Sequence, residues 1–347
     1  ARRARALFED EPAMSQPLES MRAIIAPRCL AADIGGTNAR FATARLGDNA
    51  RVSLEARRNL RVDEHAGIEA ALEAYLRSTG ESLPERAVLA VAGAVIDDQV
   101  LLTNSRWSFS IEGLRRQLGL RELRVINDFA AVAWAVPGLG EAELHAISPS
   151  PGHAQEHASV QVVLGPGTGL GAAAIRRDAS GHTVLETEGG HASFAPHDDR
   201  EIYILRHLQR RYGRVSYERL LCGEGLLNLH EACVQLARGR ELRLHEPAAV
   251  VAAANAGDPD ARSALELFCG ILGRFAGDAV LMYGGWGGVF LAGGLLQHVL
   301  DARGEALFRA AFVDKGRFSA VLARTPVYRI TDADVGTLGA ARVGLLG

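Results

Sequence analysis

One short pattern occurs twice in this chain and limits what the chain can become. An apolar run, Leu30-Ala31-Ala32, ends in Asp33-Ile34; Gly35-Gly36-Thr37 follows, and Asn38-Ala39-Arg40-Phe41 resumes an alternation of apolar and polar residues. Strand, tight turn, strand is the natural outcome. About 130 residues later Val160 to Leu164 runs into Gly165-Pro166-Gly167-Thr168-Gly169-Leu170-Gly171, with Ala172 to Arg176 as the returning strand. The recurrence points to a duplicated fold with one glycine hairpin in each half.

Such a turn admits two uses. It is a plain β-hairpin, or it is a phosphate site, because adjacent glycines let backbone N–H groups approach an anion without a Cβ in the way. Asp33 at the strand end can hold a cation, directly or through water. Neither turn is a Walker A loop, which needs G-x-x-x-x-G-K-[ST]. The first is no dinucleotide fingerprint either, since no helical pattern follows it.

The rest of the first half reads as a strand from Val52 to Val62, a helix over Glu64 to Thr79, a buried strand from Ala87 to Gly93 and a shorter one from Val95 to Thr103. A helix over Ile111 to Leu118 precedes the strand Leu123 to Ile126, which ends in Asn127-Asp128 ahead of a helix over Phe129 to Val136. This is a mixed α/β sheet with ligand groups at strand ends. Ser148 to His157 reads as a loop or domain boundary. Beyond it come a strand Thr183 to Thr187, helices over Arg200 to Tyr212, Gly225 to Leu236, Pro247 to Ala256 and Asp258 to Met282, and a possible N-cap at Ser216. Gly284 to Gly288 is expected to be a flexible break, Val289 to Ala292 a buried strand ending at Gly293-Gly294, and the stretch after it mobile. A strand Pro326 to Ile330 and a helix over Gly336 to Leu346 close the chain, the helix packing back on the first half.

Composition excludes several function classes. A length of 347 residues allows two domains with sizeable cores, and 48% hydrophobic with 23% charged residues describes an ordinary globular protein. A net charge of −3 gives no electrostatic case for nucleic acid or an anionic membrane as main partner. Lys315 is the only lysine, so lysine nucleophiles and P-loop lysines are all but ruled out. Cys29, Cys222, Cys233 and Cys269 form no C-x-x-C pair, which fits a reducing cytoplasm. No apolar run approaches the roughly 20 residues that span a bilayer. Residues 1–28 lack a signal-peptide core and are expected to be a disordered extension, or to reflect an upstream start ahead of Met14 or Met21.

Six motifs in order give the chain a family likeness: Asp33-Ile34-Gly35-Gly36-Thr37-Asn38, Ile126-Asn127-Asp128-Phe129, Gly165 to Gly171, Glu188-Gly189-Gly190-His191, Ser216-Tyr217-Glu218-Arg219 and Leu291-Ala292-Gly293-Gly294. From about Cys29 to the C-terminus the chain resembles the bacterial glucokinases of the hexokinase and actin-like superfamily. The wider group of sugar kinases and sugar-responsive repressors often carries a cysteine-rich zinc motif after its Glu-x-Gly-His element. Here Ala-Ser-Phe-Ala-Pro-His-Asp-Asp follows His191, which places the resemblance in the zinc-free branch.

The resemblance implies an α/β, two-domain ribonuclease-H-like (actin-like ATPase) fold with a cleft between a smaller N-terminal and a larger C-terminal domain. Residues 29–138 plus 331–347 would make the small domain and 139–330 the large one. It implies transfer of the γ-phosphoryl of ATP to the 6-hydroxyl of glucose, with Mg²⁺, in a cytoplasmic homodimer. Asp128 matches the base facing that hydroxyl, although an Asp at a helix start also serves as an N-cap. Asn127, Glu188, His191 and Glu218 match the sugar contacts; amide, carboxylates and imidazole together supply the donors and acceptors a ring of hydroxyls needs.

Gly35, Gly36, Thr37 and Asn38 would clamp the phosphates from one domain and Gly165, Gly167, Thr168 and Gly169 from the other. Asp33 would serve Mg²⁺ through water, and Gly293 and Gly294 would pass close to the adenosine. Arg106-Trp107-Ser108 matches a segment near the cleft, where Trp107 reads as packing, and His197, Asp198 and Asp199 read as a solvated loop. Mannose, an amino sugar or another hexose stays open as substrate, as do ADP and polyphosphate as donors. A non-catalytic sugar-sensing repressor would need a DNA-binding segment of roughly 60 residues ahead of Cys29, where 28 stand.

Overall fold

The computed structural model describes residues 27–47, 51–102, 105–148, 159–179, 181–239 and 242–347. Expectations for residues 1–26, and for all but Ser148 in the 148–157 loop, lie outside the described residues.

Strands β1 (Arg28–Ile34), β2 (Asn38–Leu46) and β3 (Val52–Arg61) form an antiparallel meander. Helix α1 (Ile68–Thr79) leads to β4 (Arg86–Val91), parallel to β1. A small separate sheet follows, made of β5 (Gly93–Ile96), β6 (Gln99–Leu102) and β7 (Ser108–Ser110). Helix α2 (Ile111–Gln117) then precedes β8 (Glu122–Asn127), parallel to β4, so the main sheet runs β3-β2-β1-β4-β8.

Helix α3 (Asp128–Ala135) and β9 (Leu144–Ser148) come next. A second meander, β10 (Val160–Pro166), β11 (Leu170–Asp178) and β12 (Gly181–Thr187), repeats the first. Helices α4 (Asp199–Tyr212), α5 (Gly223–Arg238), α6 (Pro247–Asn255) and α7 (Pro259–Tyr283) lead to β13 (Val289–Leu291), parallel to β10. Helix α8 (Ala302–Val313) leads to β14 (Val327–Ile330), parallel to β13, and α9 (Val335–Leu346) ends the chain. The second sheet runs β12-β11-β10-β13-β14 with β9 added antiparallel at its edge. Without β9 it repeats the first sheet strand for strand, the duplication that the two glycine turns foreshadow.

Residue size explains how β1 is covered on both faces. Leu30, Ala32 and Ile34 point into a cluster with Leu72 and Tyr75 of α1, filled by large side chains. Cys29 and Ala31 point the other way, into a cluster of small residues that includes Ala131, Ala340 and Ala341. Small residues let α9 and α3 lie close to each other and to the sheet. A Cβ on Gly339 would fall within 3.0 Å of the Ala131 carbonyl, and one on Gly344 within 3.0 Å of Cys29 Sγ. The terminal helix therefore packs on the first sheet, as expected from the sequence.

Four local expectations are corrected. Val95 to Thr103 is not one strand: β5 and β6 form a hairpin reversing at Asp97, whose φ is +53°. Ser216 makes no capping hydrogen bond and opens a 3₁₀ turn, Tyr217–Arg219. Gly284 to Gly288 is a packed turn: Gly285 N donates to Val280 O (2.9 Å), Gly287 N to Val160 O (2.9 Å), and a Cβ on Gly285 would strike Val162. The stretch after Gly294, expected to be mobile, carries α8, with Phe308 and Phe312 buried in the large core. Strand β9 has no counterpart in the sequence reading; only Ile147 and Ser148 of it are buried, so it carries little periodic signal.

Candidate active site

The two glycine turns and the end of β8 converge. At the first turn Gly35 N donates to Asn38 O (2.9 Å) and Val62 N to Thr37 O (3.0 Å), so the turn is closed by its own backbone and tied to β3. The Thr37 side chain is exposed, and a Cβ on Gly35 would meet only Asn38 O at 3.7 Å. Asp33 is half-buried at the end of β1, with Arg40 Nη1 3.4 Å from its Oδ2. Burial pushes its carboxyl above the usual range, against the pull of Arg40 and with a further push from Asp334.

At the second turn Gly167 N donates to Gly169 O (2.8 Å), and Gly223 N, at the start of α5, donates to Gly167 O (3.0 Å). Thr168 is exposed. The glycines here have different reasons to be glycine. Gly167 and Gly294 have no atom within 4 Å of an added Cβ, so they face open space. A Cβ on Gly293, whose φ is +124°, would strike Pro166 O, and one on Gly169 would lie 2.6 Å from Glu218 Oε2. At Gly165 the space is taken by the Phe129 ring. Gly293 and Gly294 thus lie beside the second turn.

The helix after β8 is capped by Asn127, not Asp128. Asn127 Oδ1 accepts from Phe129 N (2.8 Å) and Ala130 N (3.0 Å), leaving its amide NH₂ free to face a ligand. Asp128 is the first helical residue, and its Oδ1 also accepts from Phe129 N (2.8 Å). Burial pushes the Asp128 carboxyl up to about 6; the Asp33 and Glu188 charges add to the rise, and the backbone N–H groups of Phe129 and Asp128 oppose it. The Asp33 and Glu188 charges both act on the Asp128 carboxyl, which places them near it.

The residues expected to contact the sugar come from two short turns laced together. Tyr217 N donates to Ala192 O (3.0 Å) and Phe194 N to Val215 O (3.0 Å). His191 Nε2 then lies 3.8 Å from both Glu188 Oε2 and Glu218 Oε1. Glu218 Oε2 accepts from Leu170 N (3.0 Å), which ties this cluster to the second glycine turn. The residues matched to base, sugar and phosphate roles therefore lie on turns and strand ends linked to one another. Trp107 is packing, buried with its Nε1 donating to His65 O (3.1 Å), and Asp198 caps α4 by accepting from Glu201 N (2.8 Å). Among the described residues no group of three or more His, Cys, Asp or Glu side chains is placed to hold a metal ion.

A family model described as Glucokinase matches residues 30–345. The chain belongs to the glucokinase family. A glucokinase of Chromohalobacter salexigens is 45% identical over 314 residues, covering 90% of this chain and 95% of that one. One of Marinobacter nauticus is 42% identical over 313 residues, covering 90% and 95%. Among solved structures, a glucokinase from an Antarctic psychrotroph superposes with a TM-score of 0.82 at 34% identity, covering 91% of this chain and 98% of that one. A ROK hexokinase from Thermus thermophilus, at 20% identity and a TM-score of 0.63, shares the fold. The family fold is the two-domain actin-like ATPase architecture.

Sequence reasoning missed three contributors, two of them inside the family motifs. Phe129 and Gly171 are given no role there, yet the ring lies against the glycine. Asn228, fully buried on α5, donates from Nδ2 to Arg219 O (2.9 Å) and so fixes the turn that carries Glu218. A polar residue on an otherwise apolar helical face was the available signal.

Proposed function

We propose that this chain is a glucokinase that transfers the γ-phosphoryl group of ATP to the 6-hydroxyl of glucose. The observation that carries this is Asp128: a carboxyl at the end of β8, titrating near 6, between two glycine turns and a Glu188/His191/Glu218 cluster. Such a group is about nine-tenths ionised at neutral pH, yet basic enough to take a hydroxyl proton in the transition state. As the new O–P bond forms and the bond to the ADP oxygen breaks, the hydroxyl proton passes to the Asp128 carboxylate. Phosphoryl transfer asks little more of a protein than positioning and charge stabilisation.

Asn127 offers N–H donors, Glu188 and Glu218 offer acceptors, and His191 offers either, a set that discriminates among hexoses by the hydroxyls it pairs. The backbone of Gly35 to Asn38 and of Gly167 to Gly169 receives the phosphates, with the exposed Thr37 and Thr168 hydroxyls beside them. Gly165 serves the turn by admitting Phe129, Gly293 turns the chain closely past Pro166 O, and Gly294 leaves room for the nucleoside. Asp33 fits Mg²⁺ as a single carboxylate acting through water, because Mg²⁺ at nucleotide sites keeps several waters and leans on substrate phosphates rather than a protein cage. The ion would neutralise phosphate charge.

We place the small domain at 29–138 plus 331–347 and the large at 139–330, since each range holds one copy of the repeated sheet and α9 packs on the first. We further propose a cytoplasmic homodimer; among the described residues no helix is long and apolar enough to cross a membrane. A coupled assay over glucose, mannose and glucosamine with ATP, ADP and polyphosphate tests the proposal, with Asp128→Asn as control. Faster turnover of another hexose overturns the substrate assignment, and a control at the wild-type rate overturns the base.

A further inference from the structure

The cross-strand pair Gly165 and Gly171 at the base of the second glycine turn forms a socket. A Cβ on Gly171 would fall within 3.0 Å of Phe129 Cγ, Cδ1 and Cδ2, and one on Gly165 within 3.0 Å of Cε2 and Cζ. The ring therefore lies along the pair, its root over Gly171 and its tip over Gly165. No side chain larger than hydrogen fits at either position while the ring stays there.

This contact joins the helix that follows the last strand of the first sheet to two strands of the second sheet. Phe129 is the residue after Asp128, and its N–H is bonded to both the Asn127 and Asp128 side chains (2.8 Å each). The socket belongs to β10 and β11, the strands whose connection is the turn Gly167 to Gly169. A rigid aromatic ring with only two side-chain torsions transmits position well, since packed interiors resist displacement. On the other flank of α3, Gly339 of α9 rests on the Ala131 carbonyl, and Gly336, in the first turn of α9, would clash with Asp33 if it carried a Cβ. The helix bearing Asp128 is thus held against both halves at glycine contacts.

We propose that Phe129, seated on Gly165 and Gly171, is a positioning residue that registers the Asp128 carboxyl against the phosphate-receiving turn of the other half. The inference rests on the assignments of Asp128 and of that turn made above. The ring touches neither substrate in this scheme; it sets the line between the accepting proton site and the donor phosphate. Its loss lowers kcat and leaves ground-state binding of each substrate nearly intact, because each substrate is held chiefly by groups other than the ring.

The geometry supplies its own rescue. Leucine lacks the Cε2 and Cζ atoms that most strongly exclude a methyl group at position 165, leaving the Ala292 carbonyl oxygen at 3.2 Å as the remaining tight neighbour. Gly165→Ala, Phe129→Leu and the double variant are compared in full-length protein, with kcat expressed per folded molecule from circular dichroism. The ADP released per glucose 6-phosphate formed is measured alongside. Wild-type turnover of glucose and the Asp128→Asn control are run first, so failure of the glucokinase assignment or of the base is seen separately. Gly165→Ala is expected to lower kcat at least about 30-fold and Phe129→Leu about fivefold, with both KM values within about threefold. The double variant is expected to turn over faster than Gly165→Ala alone, and ADP per sugar phosphate to rise in Phe129→Leu. A double variant no faster than Gly165→Ala overturns the proposal. If Gly165→Ala does not fold, Phe129→Leu decides: kcat within twofold of wild type at an unchanged ADP ratio overturns the proposal, and a rise in that ratio upholds it.

Discussion

Replacing Asp128 by Asn should make the protein both inactive and more stable. The carboxyl titrates near 6 in the folded chain and near 3.8 when unfolded. The folded state therefore binds this proton more tightly. Below the unfolded value both states are protonated and the ionisation costs nothing. As pH rises from about 4 to 6 the unfolded chain releases the proton first, and folding stability is lost; above that range the loss is complete. A shift of about two units corresponds to about 3 kcal/mol, an upper figure for a half-buried group with some access to water. Asparagine keeps an oxygen to accept from Phe129 N and carries no charge near Asp33 and Glu188, so the variant recovers a large part of that energy. The assay is thermal unfolding of wild type and Asp128→Asn side by side across pH. The variant should melt several degrees higher at about pH 8, and the gap should close at about pH 4. Its kcat should fall by about 10² to 10⁴. A gap absent at the higher pH, or equally large at both, would refute the account of why Asp128 is basic.

The Asp33 charge raises the Asp128 value, so Asp33→Asn should move the acid limb of kcat/KM for glucose to lower pH, below the wild-type inflection near 6; an unchanged limb in a pH–rate profile would show that the two carboxylates do not communicate. A methyl group at Gly169 would lie 2.6 Å from Glu218 Oε2 and displace the carboxylate from Leu170 N. Gly169→Ala is accordingly expected to raise KM for glucose at least tenfold in steady-state kinetics, with kcat less affected. Glu201 is 2% exposed and paired with Arg274. Arg274→Met strands that charge and should lower stability by about 3–5 kcal/mol in denaturant titration, whereas joint replacement of both by apolar residues should cost far less.

The sheet topology and the site were legible for different reasons. Two strand–glycine–strand patterns exposed the duplication because a hairpin is local: the residues that make it are neighbours in sequence. The parallel strands β4 and β13 were legible as unbroken apolar runs, the signature of strands covered on both faces, while β8 and β10 were legible as apolar runs broken once, at Arg124 and at Gln161. Strand β9 was not, since its pairing with β14 is settled by a partner about 180 residues away and its own residues are half exposed. Gly284 to Gly288 misled for the opposite reason. Glycine density marks either freedom or close approach, and here Val162 and the end of α7 fill the space where side chains would have been.

The same ambiguity runs through the site itself, and only three-dimensional neighbours resolve it. In the second turn, Gly167 faces open space, Gly169 makes room for Glu218, and Gly165 and Gly171 make room for Phe129. On the proposed assignments one run of glycines does three jobs: it leaves a surface for an anion, seats a sugar-side carboxylate, and receives the ring that follows the base. Alanine substitutions along this run should therefore separate by consequence. Those at the open position act on the nucleotide, the one beside Glu218 acts on the sugar, and those under Phe129 act on the step that joins them. A phosphate loop whose only task was to bind phosphate would give the first pattern at every position.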